Sequence, residues 1–338
     1  NGVTDAKSYL LFFTSDIYTN KDFFISQSHH IDRWPIYLAA QKISSTLPFE
    51  WELTSRLISI IILAIIFYLI YSLKFNLYIK IIISLFIAFS PYSFRFYLYA
   101  PIALSDLFFF FSSFLFFVGI KKENILLASS GVVLGILSKQ TAFLLLPILF
   151  IFLTFKLINL QKLLYFLTLF FITFALKKFF EFQIFGQLID PPDLVHLIGF
   201  LNYFDDSYIL FKSIVGIILL IMLVSPLLIF SNYISKKNFY IFLSIFLIFS
   251  SQPILGASGG NMARLITFAY PAIIFLFSDS QKPSTREIFI FSFLIIFLSF
   301  HHNYSLVHDS RYLFGSIIFI STIISLTYLK FKRTNISI

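Results

Sequence analysis

The ionisable residues of this chain gather in short polar stretches between long apolar runs, so any chemistry is confined to a few places. The longest such stretch runs from Asn1 to about Leu53 and carries six acids (Asp5, Asp16, Asp22, Asp32, Glu50 and Glu52), four bases, His29-His30 and Trp34-Pro35. Within it Thr4 can cap a short helix that puts Asp5 and Tyr9 on one face; the plainer reading of Asp5 is a carboxylate set against a helix N-terminus. Further on, Lys139 stands between two short apolar runs. It either snorkels to the membrane interface or is an intramembrane charge with a function. Asp106 opens an apolar run, either as a helix cap or as a site residue. Arg264 follows a glycine-rich run (Gly256, Gly259, Gly260) that would let backbone approach a phosphate, yet it fits no strand–glycine loop–helix fingerprint, and a flexible loop is the plainer reading. His301-His302, with His308-Asp309 beyond, has metal-ligand residue types, but adjacent histidines point different ways on a helix, so we read a polar loop and assign no metal. Asp205-Asp206 reads as a solvated pair.

The apolar framework dominates the composition. Of 338 residues 59% are hydrophobic and 12% charged, with mean hydropathy +0.90. A soluble domain carries about 25% charged residues, so the chain reads as an all-α polytopic integral membrane protein. There is no cysteine, which excludes disulfide and thiol chemistry. The net charge of +9 is spread as short pairs between apolar runs rather than clustered on a soluble face, which argues against nucleic acid and for membrane topology.

Apolar runs able to cross a hydrocarbon core of about 30 Å fall near 55–73, 78–94, 104–120, 124–138, 141–156, 163–180, 208–230, 238–253, 264–278, 287–301 and 312–330, eleven in all. The pair 124–138 and 141–156 reads either as two spans or as a re-entrant hairpin, without changing the parity of the later spans. Alternate loops hold Lys74, Lys80, Lys121, Lys122, Lys156, Lys162, Lys236, Lys237, Lys282, Arg286, Lys330, Lys332 and Arg333, thirteen bases against three acids. The rest of the chain has twelve bases and thirteen acids. Positive loops face the cytoplasm, so residues 1–53 form an external first loop ahead of a membrane domain over 54–338. An external start calls for one more span upstream of Asn1. Pro35 suits the first turn of a helix whose apolar stripe is Ile36, Ala39, Ala40, Ile43 and Leu47, the pattern of a helix lying on the membrane surface. The other external stretches hold Arg95, Lys139, Arg264, and His301 to Arg311.

Several short patterns resemble one family. Thr4-Asp5-Ala6-Lys7-Ser8-Tyr9-Leu10, His30-Ile31-Asp32-Arg33-Trp34-Pro35-Ile36-Tyr37, Ser90-Pro91, Ser105-Asp106 and the stretch from Gly131 and Gly135 to Ser138-Lys139-Gln140-Thr141 are similar to the opening of the GT-C glycosyltransferases. These use polyprenyl-phosphate sugars and include the protein mannosyltransferase and aminoarabinose transferase families. The resemblance covers residues 1 to about 160. Asp5 is followed by Ala6 where many relatives have a second acid.

The resemblance implies an inverting transfer of a sugar from a polyprenyl-phosphate donor to an external lipid, glycan or protein acceptor, in a bacterial inner membrane with the active side periplasmic. Such a reaction needs a base for the acceptor hydroxyl and cations for the departing phosphate. Asp5 would be the base. Arg33, Arg95, Lys139, Arg264 and Arg311 would bind phosphate, supported by His30, Tyr9, Asp106, His301 and His302. The donor and membrane lipid are the implied partners; no cofactor is called for, with a divalent cation left open. Two other classes compete. A lipid-linked saccharide transporter or flippase would place charges at mid-membrane and show internal repeats. A polysaccharide polymerase would depend on external arginines without needing Asp5.

Overall fold

The computed structural model describes residues 33–47, 50–90, 97, 103–186, 224–255, 267–278, 282–299 and 310–334. These are helical throughout, with no strand among them. Among the described residues three helices are long and apolar enough to cross a membrane: α2 (Trp51–Tyr71), α4 (Leu104–Lys121) and α7 (Leu160–Phe185). Shorter apolar helices include α3 (Leu77–Phe89), α5 (Ile125–Ser138) and α6 (Leu145–Thr154). The chain divides into two compact units and passes between them several times; the first passage lies within α2, between Ile66 and Phe67.

The first unit is built around α4. Of the apolar window of α4, 89% is buried, against 22% for α7, so α4 is the axis of the unit and α7 its rim. The outward face of α7 carries Phe171, Ile172, Leu176, Phe179 and Phe180, all exposed, as a lipid-facing helix requires. Against α4 lies α5, the most extensive helix pair among the described residues. Small residues make that approach possible. A Cβ on Gly119 would fall 2.3 Å from the Ala128 backbone nitrogen, one on Gly131 2.5 Å from the Phe116 nitrogen, and one on Gly135 3.1 Å from Ser112 Oγ. The facing pairs Gly119 with Ala128, Phe116 with Gly131 and Ser112 with Gly135 set one constant antiparallel register. That register brings the first turn of α4 level with the residues that follow Ser138.

The tight connections follow from local chemistry. After α4, Glu123 adopts φ 55° and Asn124 caps α5, its Oδ1 accepting from Leu127 N at 3.0 Å. After α6, Lys156 adopts φ 57° and Asn159 caps α7 in the same way, accepting from Lys162 N at 2.9 Å. A shallow cleft lined by Gly119, Glu123, Asn124, Leu157 and Lys162 places both base-rich loops at one end of the unit. At the other end, the chain leaves α5 at Lys139 in an extended conformation (φ −164°, ψ 146°) and enters a 3-10 turn, Gln140–Leu144. It then returns as α6, with Pro147 in the first turn, where a missing N–H costs no intrahelical bond. The return arm runs the length of α4: Phe152 of α6 meets Phe116 and Phe117, with ring centroids 5.8 and 5.9 Å apart, near the C-terminus of α4. Gly186 closes α7 at φ 75°, its N–H on the Phe182 carbonyl, a conformation open to glycine at little cost.

Helix α1 (Trp34–Thr46) also belongs to this unit and packs against α4 and α5. Pro35 occupies its first turn as expected, and of the apolar stripe only Ile36 and Ala40 are buried within the protein. Trp34, Ile36, Tyr37 and Ala40 are buried, while Ile43 and Leu47 are 41% and 40% exposed and Ala39 is exposed as well. The two large aromatic side chains at its N-terminal end offer more area to the α4–α5 surface than the aliphatic stripe does, so docking selects their face.

The second unit holds α3, a 3-10 segment Ser225–Tyr233, α8 (Lys236–Leu255), a 3-10 segment Thr267–Phe275, α9 (Thr285–Ser299) and α10 (Ser310–Thr334). The described parts of the expected spans at 208–230 and 264–278 are thus 3-10 rather than α; Pro226 and Pro271 within them withhold backbone donors. Phe86 of α3 meets Tyr270 edge-on at 5.0 Å, and Phe230 meets Phe291 of α9 at 5.1 Å. Ser284 and Glu287 form a reciprocal capping box at the start of α9, and Tyr233 donates to the same carboxylate at 2.7 Å.

Candidate functional site

The register of α4 and α5 decides what happens to the two charges the sequence singles out. Asp106 lies in the first turn of α4, and Lys139 is the first residue beyond α5. The Lys139 ammonium donates to Asp106 Oδ1 at 2.6 Å, with 3% and 2% of the two side chains exposed. The plainer reading of each residue therefore gives way. Lys139 does not snorkel: its side chain is buried and its ammonium is bonded to Asp106. Asp106 does not cap α4: Ala103 holds the cap position, with no side-chain hydrogen bond.

A buried ammonium and carboxylate cannot be left apart, since each ion taken out of water alone costs several kcal/mol. Held together, the two charges offset each other, and an incoming anion would compete with the Asp106 carboxylate for the ammonium.

Helix α1 closes over the neighbouring turn. The Tyr37 hydroxyl lies 3.3 Å from Ser105 Oγ, one residue from Asp106, and Tyr37 is fully buried. Arg33, immediately before α1, is buried as well at 8% exposure, and its carbonyl accepts from Ile36 N at 3.2 Å. Two buried donors of this region, Trp34 Nε1 one turn before Tyr37 and Thr141 Oγ1 two residues after Lys139, have no hydrogen-bond partner among the described residues. Buried polar groups are normally paired, so this end of the unit holds hydrogen-bonding capacity that the described residues do not use.

Sequence reasoning missed a second set of charges. Helix α7 buries Leu163, Phe166, Phe170, Lys177, Glu181 and Phe185, an inward seam with three- and four-residue spacing. Lys177 and Glu181 thus occupy seam positions that apolar residues fill elsewhere. Lys177 is 3% exposed and donates to the Ile136 carbonyl of α5 at 2.8 Å; Glu181, fully buried, accepts from Lys178 at 2.8 and 3.1 Å. The signal was present in the spacing: continuing the Leu163–Phe166–Phe170 seam along α7 lands on these two residues.

Of the other candidate residues, Asp5, Tyr9, His30, Arg95, Arg264, His301 and His302 lie outside the described residues. Arg311 falls in the first turn of α10, where only the backbone is described. Among the described residues no three His, Asp or Glu side chains gather as a metal site. Comparison of the chain with protein-family models, with curated proteins and with solved structures gives no match.

Proposed function

We propose that this chain is a GT-C-type membrane glycosyltransferase that moves a sugar from a polyprenyl-phosphate donor to an external lipid, glycan or protein acceptor. The observation that carries the reading is the Asp106–Lys139 pair, 2.6 Å apart and all but inaccessible within a predominantly apolar helical unit. Ionisable groups inside such units are costly and by default mark function. This pair sits at the end of its helices, not midway along them, where a lipid-borne phosphate meets the water boundary. That placement favours an enzyme acting on a lipid headgroup over a transporter, whose charges gather at mid-membrane.

In this reading the chain crosses a bacterial inner membrane eleven times, with residues 1–53 on the periplasmic side. Asp5 takes the proton of the acceptor hydroxyl as its oxygen attacks the anomeric carbon. The bond from that carbon to the phosphate oxygen breaks, and the electron pair leaves with polyprenyl phosphate. Lys139, released from Asp106 by the incoming anion, stabilises the departing phosphate together with Arg33, Arg95, Arg264 and Arg311. Tyr9, His30, His301 and His302 shape the approach of acceptor and donor.

Purified chain in proteoliposomes, supplied with polyprenyl-phosphate-linked radiolabelled sugar and an acceptor lipid extract, tests this. Transfer should fall by about 10²-fold or more in Asp5→Asn. Unchanged transfer in Asp5→Asn removes the base assignment. Loss in Arg264→Ala and Arg311→Ala with Asp5→Asn intact would point to a polymerase instead.

A further inference from the structure

We infer that Lys177 is a positioning residue: from α7 it holds the last turn of α5, and so fixes where Lys139 presents its ammonium. The inference rests on the role proposed above for Lys139, but its geometry stands independently.

The last carbonyls of any helix lack intrahelical partners, and the C-terminus carries partial negative charge. In α5 that end must also hand the chain over to an extended residue, Lys139, whose N–H bonds the Gly135 carbonyl. Ile136 lies three residues before Lys139, and its carbonyl is the one that Lys177 takes at 2.8 Å. The bond is buried and spans two helices, and the cation sits where the α5 dipole favours it. A neutral donor would satisfy the carbonyl; an ammonium on a four-carbon stem also reaches across from the rim helix and keeps its charge beside the dipole. Hydrophobic packing of α7 along Phe166 and Phe170, with Phe166 meeting Phe116 edge-on at 5.8 Å, already secures the other end of this contact.

The consequence is specific. Without the Lys177 contact, the turn Ser138–Thr141 loses its fixed starting point, and the Lys139 ammonium is less well placed to leave Asp106 for a phosphate. Misplacement of a positioning group by about 1 Å is enough to cost on the order of 10²-fold in rate.

The chain has no cysteine, so a single engineered thiol is the only labelling site. Ser138 is fully buried and, among the described residues, its hydroxyl is bonded locally to the Gly135 carbonyl, which makes Ser138→Cys a quiet reporter of the turn. In proteoliposomes containing no donor, maleimide labelling of Ser138→Cys should be slow. Labelling should rise about tenfold when Lys177→Met is added, stay slow with Lys177→Arg, and stay slow with Lys178→Met, whose lysine pairs with Glu181 instead. Where the methionine variant fails to insert, Lys177→Gln, a shorter neutral donor, replaces it with the same expectation. In transfer assays Lys177→Met should raise donor KM and lower kcat together, with Lys177→Arg restoring most of both. Labelling that is equally slow in Lys177→Met overturns the inference, as does unaltered donor KM and kcat. If wild-type protein transfers no sugar, the glycosyltransferase reading fails, while the labelling arm still decides whether Lys177 sets the turn.

Discussion

Replacing Lys139 with methionine keeps the length of the stem and removes only the ammonium, leaving Asp106 buried opposite an apolar side chain. With the two groups 3% and 2% exposed and 2.6 Å apart, solvent cannot take over the lost interaction. Removing one partner of such a pair typically costs about 3–5 kcal/mol, whereas replacing both by apolar residues is often neutral or stabilising. Lys139→Met and Asp106→Leu should therefore each lower stability by about 3–5 kcal/mol, while the double variant returns to within about 1 kcal/mol of wild type. Independent effects would instead sum to roughly 6–10 kcal/mol. The assay is reversible unfolding of the purified protein in mixed micelles, read for all four members of the cycle. Two single effects that simply add in the double variant would refute the reasoning, because the pair would then not be a coupled unit.

The α4–α5 register makes a second expectation. Gly131→Leu drives a side chain into the Phe116 backbone, where even a Cβ would be 2.5 Å from nitrogen; the overpacking should cost at least about 3 kcal/mol and sharply reduce the folded yield, read by size-exclusion profile. Tyr37→Phe removes one hydroxyl contact with Ser105 at 3.3 Å, so global stability should drop by only about 1 kcal/mol, with faster protease cleavage confined to residues 33–47; an unaltered cleavage pattern would mean that this contact does not hold α1.

Much of the first unit was legible in advance because its signals are local. The apolar runs 104–120 and 124–138 coincide closely with α4 and α5, and Pro35 marked the first turn of α1; the caps Asn124 and Asn159 were not singled out. Lys139 and Asp106 stood out as charges at the edges of apolar runs. Their partnership did not, because it depends on the register of two helices, and register is carried by Gly119, Gly131 and Gly135 rather than by the charged residues. Lys177 and Glu181 were hidden for a different reason. In a long apolar helix near a polar loop, charges read as an interfacial end, and only the inward seam shows that they face the bundle. That α1 docks through Trp34 and Tyr37 was not legible, because hydrophobic periodicity weighs Ile43 and Leu47 like Trp34 and Tyr37, while docking weighs them by area. The prolines at 226 and 271 were visible, yet apolar length outweighed them, and the described backbone around them is 3-10.

The most direct test is sugar transfer by the Asp106→Leu/Lys139→Met double variant beside wild type. Both proteins would be shown to be equally folded by the unfolding cycle, then reconstituted with polyprenyl-phosphate-linked sugar and acceptor. Wild type should release polyprenyl phosphate and glycosylate the acceptor. The folded double variant should lose about 10²-fold or more of that activity, because the phosphate-stabilising cation is gone. Equal transfer by the two proteins, or no release of polyprenyl phosphate by wild type, would contradict a role for this buried pair in sugar transfer.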